Sequence, residues 1–399
     1  MKNYFIIVCL ILIAVITASC TVSDDYISPE TGKENEANAQ KPSVKGDYNE
    51  TYDNITADIN GFGVFNGFLS IQASGSLYAY DPENGEPVIL CSDPSCDHKE
   101  CFFGYTGSAV DSNIIQCGSR IYNIRTVPLS ETVKFNNGQT SSDKFQIVSA
   151  DLNGNNTVLH YENADYIGSI CPVNDEYMYF LQRNSNEGTY ELYKLTYKNN
   201  KTELIASSSS HPVPICEKEG YIYYCDHILP AFGRIDSQTG KDEIILNGSS
   251  YYFHFNDNYM WFANTSAKKA KNYTAYRYDF KTGEIVEILP EVSRFVMTDE
   301  HIFYTKNEGL VVETADRDYK DSLSGRIYMC DHDGSNSIMI RDDYEQLYYQ
   351  SFIPYHDKLF AEYRVYDENL ENNLNSSDGF IYGYVAIGDT EDYTTFEIK

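Results

Sequence analysis

A repeat that runs through nearly the whole chain constrains its fold more than any other feature. A short turn leads into a strand of alternating aromatic residues, as in Asn174-Asp175-Glu176-Tyr177-Met178-Tyr179-Phe180 and Lys218-Glu219-Gly220-Tyr221-Ile222-Tyr223-Tyr224. The unit returns as Asn256-Asp257-Asn258-Tyr259-Met260-Trp261-Phe262 and as Thr298-Asp299-Glu300-His301-Ile302-Phe303-Tyr304. Looser copies begin at Phe65, Cys117 and Tyr355, which makes seven. A second unit follows each: a strand, a tight turn and another strand, as around Asp236-Ser237-Gln238-Thr239-Gly240 and Asp279-Phe280-Lys281-Thr282-Gly283. There Gly supplies the positive φ of a bulged hairpin, and the Asp side chain accepts from its own downstream backbone. The copy at Tyr197-Lys198-Asn199-Asn200-Lys201 lacks the glycine.

Two hairpins per repeat make a four-stranded antiparallel sheet. Successive copies lie 38 residues (Tyr221 to Tyr259) to 57 residues (His301 to Lys358) apart. That period, built of four strands, is the signature of a β-propeller. One such sheet cannot bury both its faces, so sheets stack around an axis and close into a ring. The expected fold is all-β, a propeller of seven four-stranded blades over residues 56–399. The irregular spacing assigns loops to 126–143, 183–189, 306–324 and 365–378. Composition agrees: 36 tyrosines stand among Ile, Val, Phe and Thr in short alternating runs.

The first residues read as a targeting segment. Lys2 supplies a positive start, Phe5 to Ile16 is continuously apolar, and Thr17-Ala18-Ser19 puts small residues before Cys20. The run is too short to span a membrane as a helix. A cysteine placed there resembles the lipobox of bacterial lipoproteins, with Thr17 where leucine is usual. The resemblance implies cleavage after residue 19, lipidation of Cys20 and anchoring at the extracytoplasmic face of the cell membrane. Several acyl chains give the stable anchor that one chain alone does not. Residues 20–55 are rich in Ser, Asn, Glu, Asp and Lys and read as a disordered tether.

Without Lys2 the chain holds 29 basic and 59 acidic residues, 29 − 59 = −30. That balance argues against nucleic acid and anionic lipid surfaces as partners, since both select basic patches.

Two further resemblances concern the body. Arg326-Ile327-Tyr328-Met329-Cys330-Asp331-His332-Asp333-Gly334-Ser335-Asn336 resembles the repeat of TolB-type propellers. Leu90-Cys91-Ser92-Asp93-Pro94-Ser95-Cys96-Asp97-His98 is similar to a segment of the propeller lipoproteins of clostridia and related Gram-positive bacteria. That family is largely without assigned activity, so the likeness speaks to fold and location.

Cys91, Cys96, His98 and Cys101 are the candidate site. Three thiols and an imidazole can complete a tetrahedral zinc site, although this spacing is not a standard zinc motif. The mature chain, without Cys9, keeps eight cysteines besides Cys20, which in an extracytoplasmic protein equally suit a disulfide-stapled loop. Reduced thiols are the third alternative, and the sequence leaves all three open. No cofactor is called for unless the site holds zinc. Cys117, Cys171, Cys216, Cys225 and Cys330 fall in strands and read as core filling.

Other motifs fail on inspection. Gly61-Phe62-Gly63-Val64-Phe65-Asn66-Gly67 has the wrong final spacing for a nucleotide loop and reads as strand-turn-strand. Asp331-x-Asp333 lacks the later ligands of a calcium loop and reads as a hairpin turn. Carboxylates are too plentiful to pick out a glycosidase pair. Trp261 and the tyrosine strands read as blade packing before they read as a sugar platform. The expectation is therefore a monomeric, lipid-anchored, non-enzymatic binding or scaffolding module for a protein, peptide or glycan. The alternative is an enzyme acting on carbohydrate or lactone, with carboxylates or a metal at the axis.

Overall fold

The computed structural model describes residues 61–65, 68–73, 76–80, 87–89, 115–226, 228–265, 273–306, 310–313, 320–323, 325–343, 347–365, 381–388 and 392–396. Cys20, Cys91, Cys96, His98 and Cys101, with the targeting segment and tether, lie outside them.

Every regular element described is a β-strand, and the strands group in chain order. Blade 1 is β1 (Gly61–Phe65), β2 (Phe68–Ala73), β3 (Ser76–Tyr80) and β4 (Pro87–Ile89). Blade 2 is β5 (Ile115–Cys117), β6 (Arg120–Lys134), β7 (Thr140–Asp151) and β8 (Val158–Asn163). Blade 3 is β9 (Ile167–Pro172), β10 (Tyr177–Asn184), β11 (Thr189–Thr196) and β12 (Lys201–Ser208). Blade 4 is β13 (Pro212–Lys218), β14 (Tyr221–Asp226), β15 (Ala231–Asp236) and β16 (Asp242–Asn247). A seven-stranded sheet follows, with β17 (Ser249–Phe255), β18 (Tyr259–Thr265), β19 (Tyr273–Asp279), β20 (Ile285–Met297), β21 (Ile302–Lys306), β24 (Arg326–Cys330) and β25 (Ile338–Asp342). A side hairpin, β22 (Leu310–Glu313) and β23 (Lys320–Leu323), rises from it. Blade 7 is β26 (Leu347–Tyr355), β27 (Lys358–Val365), β28 (Ile381–Ala386) and β29 (Thr394–Phe396).

The long strand β20 explains the seven-stranded sheet. Its first half pairs with β19 and its second half with β21. The change of partner falls at Val292, which pairs with both, next to Glu291, whose φ is 57°. β20 thus ends blade 5 and begins blade 6, and the two blades share it.

The period-two alternation of the aromatic strand sorts side chains between neighbours. Met178 and Phe180 face blade 2, where they pack with Tyr122, Ile124 and Ile147. Tyr179 and Leu181 face blade 4, where they meet Ile222, Tyr224 and Ile235. The pattern continues round to the chain ends: Ile353, Tyr355 and Phe360 of blade 7 pack against Leu69, Ile71, Tyr78 and Tyr80 of blade 1. Tyr80 and Phe360 meet edge to face at 4.9 Å. Among the described residues each sheet takes its strands from one stretch of chain, so blades 7 and 1 meet there by packing.

A cation lies on the first ring of the repeat in three consecutive blades. Lys194 lies 3.7 Å from the Tyr177 ring, Arg234 lies 4.2 Å from Tyr221, and Arg277 lies 4.9 Å from Tyr259. Blade 7 reverses the pair, with Lys358 on the second strand 4.2 Å from Tyr384 on the third. Each such rung contributes about 0.5–1 kcal/mol where exposed.

Fourth strands carry a β-bulge at a matching place in blades 2 to 6. Register shifts set aside His160, Ile205, Ile245, Ile288 and Ile340. In two cases the next blade's turn glycine sits against the bulged residue. A Cβ on Gly240 would collide with the carbonyl oxygen of Ile205, and one on Gly334 with that of Ile288. The turns themselves form as the sequence implies. Asp236 Oδ1 accepts from the Gln238 and Thr239 amides at 3.0 and 2.7 Å, and Asp279 Oδ1 from those of Lys281 and Thr282 at 2.8 Å each. Asp331 likewise closes a hairpin turn, its Oδ2 accepting from Asn336 Nδ2 at 2.6 Å. β1 and β2 pair antiparallel, with Phe65 opposite Phe68.

One expectation needs correction. The stretch 126–143 is mostly a two-stranded ribbon continuing β6 and β7, with only the tip, 135–139, outside the strands. Part of 306–324 likewise forms the β22–β23 hairpin. Polar, irregular sequence hid them, because a ribbon outside the core needs no apolar alternation.

Candidate binding face

Antiparallel order puts the connections of each blade at opposite ends. Turns between first and second strands and between third and fourth strands share one end. Second-to-third turns and the links to the next blade share the other. The first end is uniformly short, with at most seven residues between strands (387–393). The second end carries the β6–β7 ribbon, the β22–β23 hairpin, and the long connections between Ile89 and Ile115 and between Val365 and Ile381. These belong to blades 6, 7, 1 and 2, which are consecutive because blade 7 packs on blade 1. Loops set on a rigid scaffold are where binding residues concentrate.

The ribbon leans onto its neighbour. At its tip the Asn136 amide donates to Asn186 Oδ1 at 2.7 Å, and Asn137 Nδ2 donates to the Ser185 carbonyl. Asn186 and Ser185 lie in the β10–β11 turn of blade 3, so the arm bridges two blades across this face.

Further round, blades 4 and 5 present apolar side chains. Asp226 is buried and its Oδ1 accepts from the Ile228 and Leu229 amides, each at 2.9 Å. That cap uses the turn's donors and leaves Ile228 and Leu229 55% and 61% exposed. Beside them the Gly248 amide donates to the Pro230 carbonyl at 2.9 Å and leads into β17. There Tyr251, Tyr252 and Tyr273 gather, with Tyr251–Tyr273 centroids at 5.4 Å and Tyr252–Tyr273 at 6.2 Å. Trp261, by contrast, is buried and donates Nε1–H to the His332 carbonyl at 3.2 Å. It packs the blade 5–6 interface and is no platform.

Several buried polar groups hold the body together. Arg341 and Asp343 form a buried bidentate pair at 2.9 and 2.7 Å. Tyr349 donates to the same carboxylate and meets the Tyr393 hydroxyl at 2.9 Å. Burial and the neighbouring Tyr393 and Asp343 raise the Tyr349 hydroxyl far above its ordinary range. Buried Glu362 accepts from Ser351 Oγ at 3.0 Å and from the Tyr382 hydroxyl at 3.1 Å. Ser149 and His160 make a serine–histidine contact, Oγ to Nε2 at 2.7 Å. Ser149 has no exposed surface, and its Oγ already accepts from Arg120 Nε at 2.9 Å, so it cannot act as a nucleophile from solvent. Among the described residues no three His, Cys, Asp or Glu side chains are placed to hold a metal ion. Cys117, Cys171, Cys216, Cys225 and Cys330 are free thiols; all but the half-buried Cys117 are buried. Burial pushes Cys171, Cys225 and Cys330 up to about 12, as core packing implies.

His254 gives this core a pH dependence. Burial drives its imidazole down to about 4, while a hydrogen bond to the Phe295 backbone pulls the other way. The folded state thus binds fewer protons than the unfolded one between about pH 6.5 and 4. Stability is complete above that window and falls as pH drops through it, by up to about 3 kcal/mol at its lower end. His160, also lowered by burial and by Arg120, adds in the same direction. Urea unfolding at pH 7 and pH 5 should show the loss, and His254→Gln should reduce it. An equal loss in the variant would remove His254 as its source.

No protein-family profile and no curated protein matches the sequence. Solved structures to which it is similar include the β-propeller domain of the Trilobed protease from Pyrococcus furiosus. That match is 10% identical, covers 70% of this chain and 80% of that one, and has a TM-score of 0.43. Oligogalacturonate lyase from Vibrio parahaemolyticus is 10% identical over 80% of this chain and 88% of that one, at a TM-score of 0.45. TolB from Acinetobacter baumannii is 12% identical over 82% of this chain and 75% of that one, at 0.36.

Proposed function

We propose that the protein is a binding module, tethered to the cell exterior through lipidated Cys20, whose loop-rich face takes a protein, peptide or glycan partner. One observation carries the reading: the long insertions share one face and one run of consecutive blades, while every turn at the opposite end stays short. Blade packing needs no such asymmetry. The Leu90–His98 segment, with its likeness to clostridial surface lipoproteins, leaves from the same end, since β4 ends at Ile89. Propellers also host enzymes, so fold alone does not choose between the classes.

The test is site-specific photo-crosslinking on cells. A benzophenone side chain at Asn137, on the ribbon tip, should yield defined adducts, and one at Gln238, in a turn of the opposite face, should not. Adducts confined to Gln238 would overturn the proposed face. Turnover of chromogenic glycosides or lactones by the purified protein would overturn the non-enzymatic reading.

A further inference from the structure

The β6–β7 ribbon is built in two unequal halves. In the body half the register runs without a break from Arg120↔Asp151 to Pro128↔Asp143, and residues 121–124 and 147–150 are buried. The next pair is Val133↔Ser141, so four residues of β6, Leu129 to Thr132, stand against Ser142 alone. A one-residue bulge bends a ladder, whereas four residues against one interrupt it. Pro128 has no N–H to give the ladder at this joint. Ser141 Oγ meanwhile donates to the Asp143 carbonyl at 2.7 Å and accepts from the Asp143 amide at 3.2 Å. A side chain has taken the backbone groups that strand pairing would otherwise use. Past the joint no residue from 129 to 142 is buried, so no apolar packing fixes the outer half.

The pieces that meet at the far end are stiff by comparison. Phe135 donates its amide to the Gln139 carbonyl at 2.9 Å, and Asn137 Oδ1 accepts from the Gln139 amide at 2.9 Å, so the tip holds its own shape. In blade 3, Asn184 Oδ1 accepts from the Asn186 amide at 3.2 Å, and the Asn184 carbonyl accepts from the Gly188 amide at 2.8 Å. Asp165 Oδ1 fixes the Ser185 amide at 3.0 Å. Among the described residues two hydrogen bonds join tip to turn, those of Asn136 to Asn186 and of Asn137 to Ser185. Such bonds are worth little net where water can replace them. A rigid tip and a rigid catch, joined weakly across an interrupted ladder, make a two-state element.

We propose that residues 129–142 are a strap, hinged at Leu129–Thr132 and Ser142, that this latch holds closed from blade 2 onto blade 3 and that a partner releases. The proposal rests on the reading of this end as the partner face and adds how that face is regulated. Closure ties up the Asn136 amide, the Asn137 carboxamide, the Asn186 carboxamide oxygen and the Ser185 carbonyl, and Ser185 is 6% exposed with the tip in place. A partner that hydrogen-bonds to any of these groups competes with the latch. Its binding therefore shifts the arm toward the open state.

The experiment measures, by pulsed electron spin resonance on the full chain, the distance between nitroxides at Thr140 on the arm and Leu229 in the blade 4 turn. Both labels are carried on keto side chains, so the native thiols stay untouched. The parent should give one narrow distance. Asn137→Asp sets a carboxylate against the Ser185 carbonyl, and Asn186→Ala removes the other acceptor. Each should raise a second, broader population about fivefold, the factor that one net hydrogen bond carries. Gln238→Ser, at the opposite end, should leave the distances as they are. All three positions are exposed, so the urea midpoints should stay at the parent's value. Distances unchanged in both latch variants, or a parent distribution already broad that neither variant alters, would overturn the strap. Because these spectra need no partner, that failure would leave the crosslinking test of the face intact. Adducts confined to Gln238 beside a mobile arm would instead strike the partner face, and with it the regulation, while the hinge stood.

Discussion

Arg341→Met should lower the protein's stability by about 3–5 kcal/mol, one of the two largest losses we expect from a single side chain. Arg341 and Asp343 are both nearly excluded from solvent, with side chains 5% and 10% exposed. Removing the guanidinium leaves a carboxylate buried without its cation, and that uncompensated charge sets the cost. Burial opposes the charge on Arg341, yet Asp343 holds the guanidinium more basic than usual. The pair also organises its surroundings, since Tyr349 donates to Asp343 and Arg341 lies 4.9 Å from the Tyr393 ring. The network therefore joins the last strand of blade 6 to both edges of blade 7.

Urea midpoints should separate this from a surface effect. Lys218→Met removes an ion pair whose Asp257 side chain is 96% exposed, and it should cost at most about 1 kcal/mol. Arg341→Met/Asp343→Leu should recover part of the single variant's loss, because the orphaned charge goes with its partner. A double variant as unstable as the sum of its parts would show that packing, and not the buried charge, sets the cost.

Strand order was legible in the sequence because each repeat carries its own turn chemistry and its own alternating strand. Tyr177-Met178-Tyr179-Phe180 declares both a strand and two buried faces, and Asp236 with Gly240 declares the turn. What the sequence hid lies between repeats. Nothing near Arg341 announces Tyr393, since the chain returns there only after β26, β27 and β28. Bulges at Ile205 and Ile288 are invisible because one extra residue leaves the composition of the strand unchanged. Tyr251 and Tyr252 look like any other tyrosines of the repeat until register shows the bulge beside them. The candidate cysteine cluster, Cys91, Cys96, His98 and Cys101, lies outside the described residues, so its chemistry rests on sequence alone.

The turn glycines give the second large effect, one that the sequence motif alone would misjudge. Gly240, Gly283 and Gly334 have φ of 68°, 73° and 83°, and the motif assigns them one role. Their surroundings differ. At Gly283 the nearest neighbour to a built Cβ is the Tyr278 hydroxyl oxygen at 3.8 Å, so Gly283→Ala should cost only the backbone term, about 1 kcal/mol. At Gly240 and Gly334 the Cβ would strike the carbonyl oxygen of a bulged isoleucine in the preceding blade. Backbone cannot swing aside as a side chain can, so the blades must separate, at a total of about 3–5 kcal/mol. Blade 3 offers an internal comparison. There Asn200 takes the positive φ, at 50°, and the bulged residue of the preceding blade is His160, whose Nε2 meets Ser149 Oγ at 2.7 Å. No turn glycine meets the bulge there, so Asn200→Gly should change stability little. Urea midpoints should be highest for Asn200→Gly, lower for Gly283→Ala, and far below both for Gly240→Ala and Gly334→Ala. Equal losses at Gly240 and Gly283 would mean that φ alone fixes the glycine and that the bulge does not hold neighbouring blades in register.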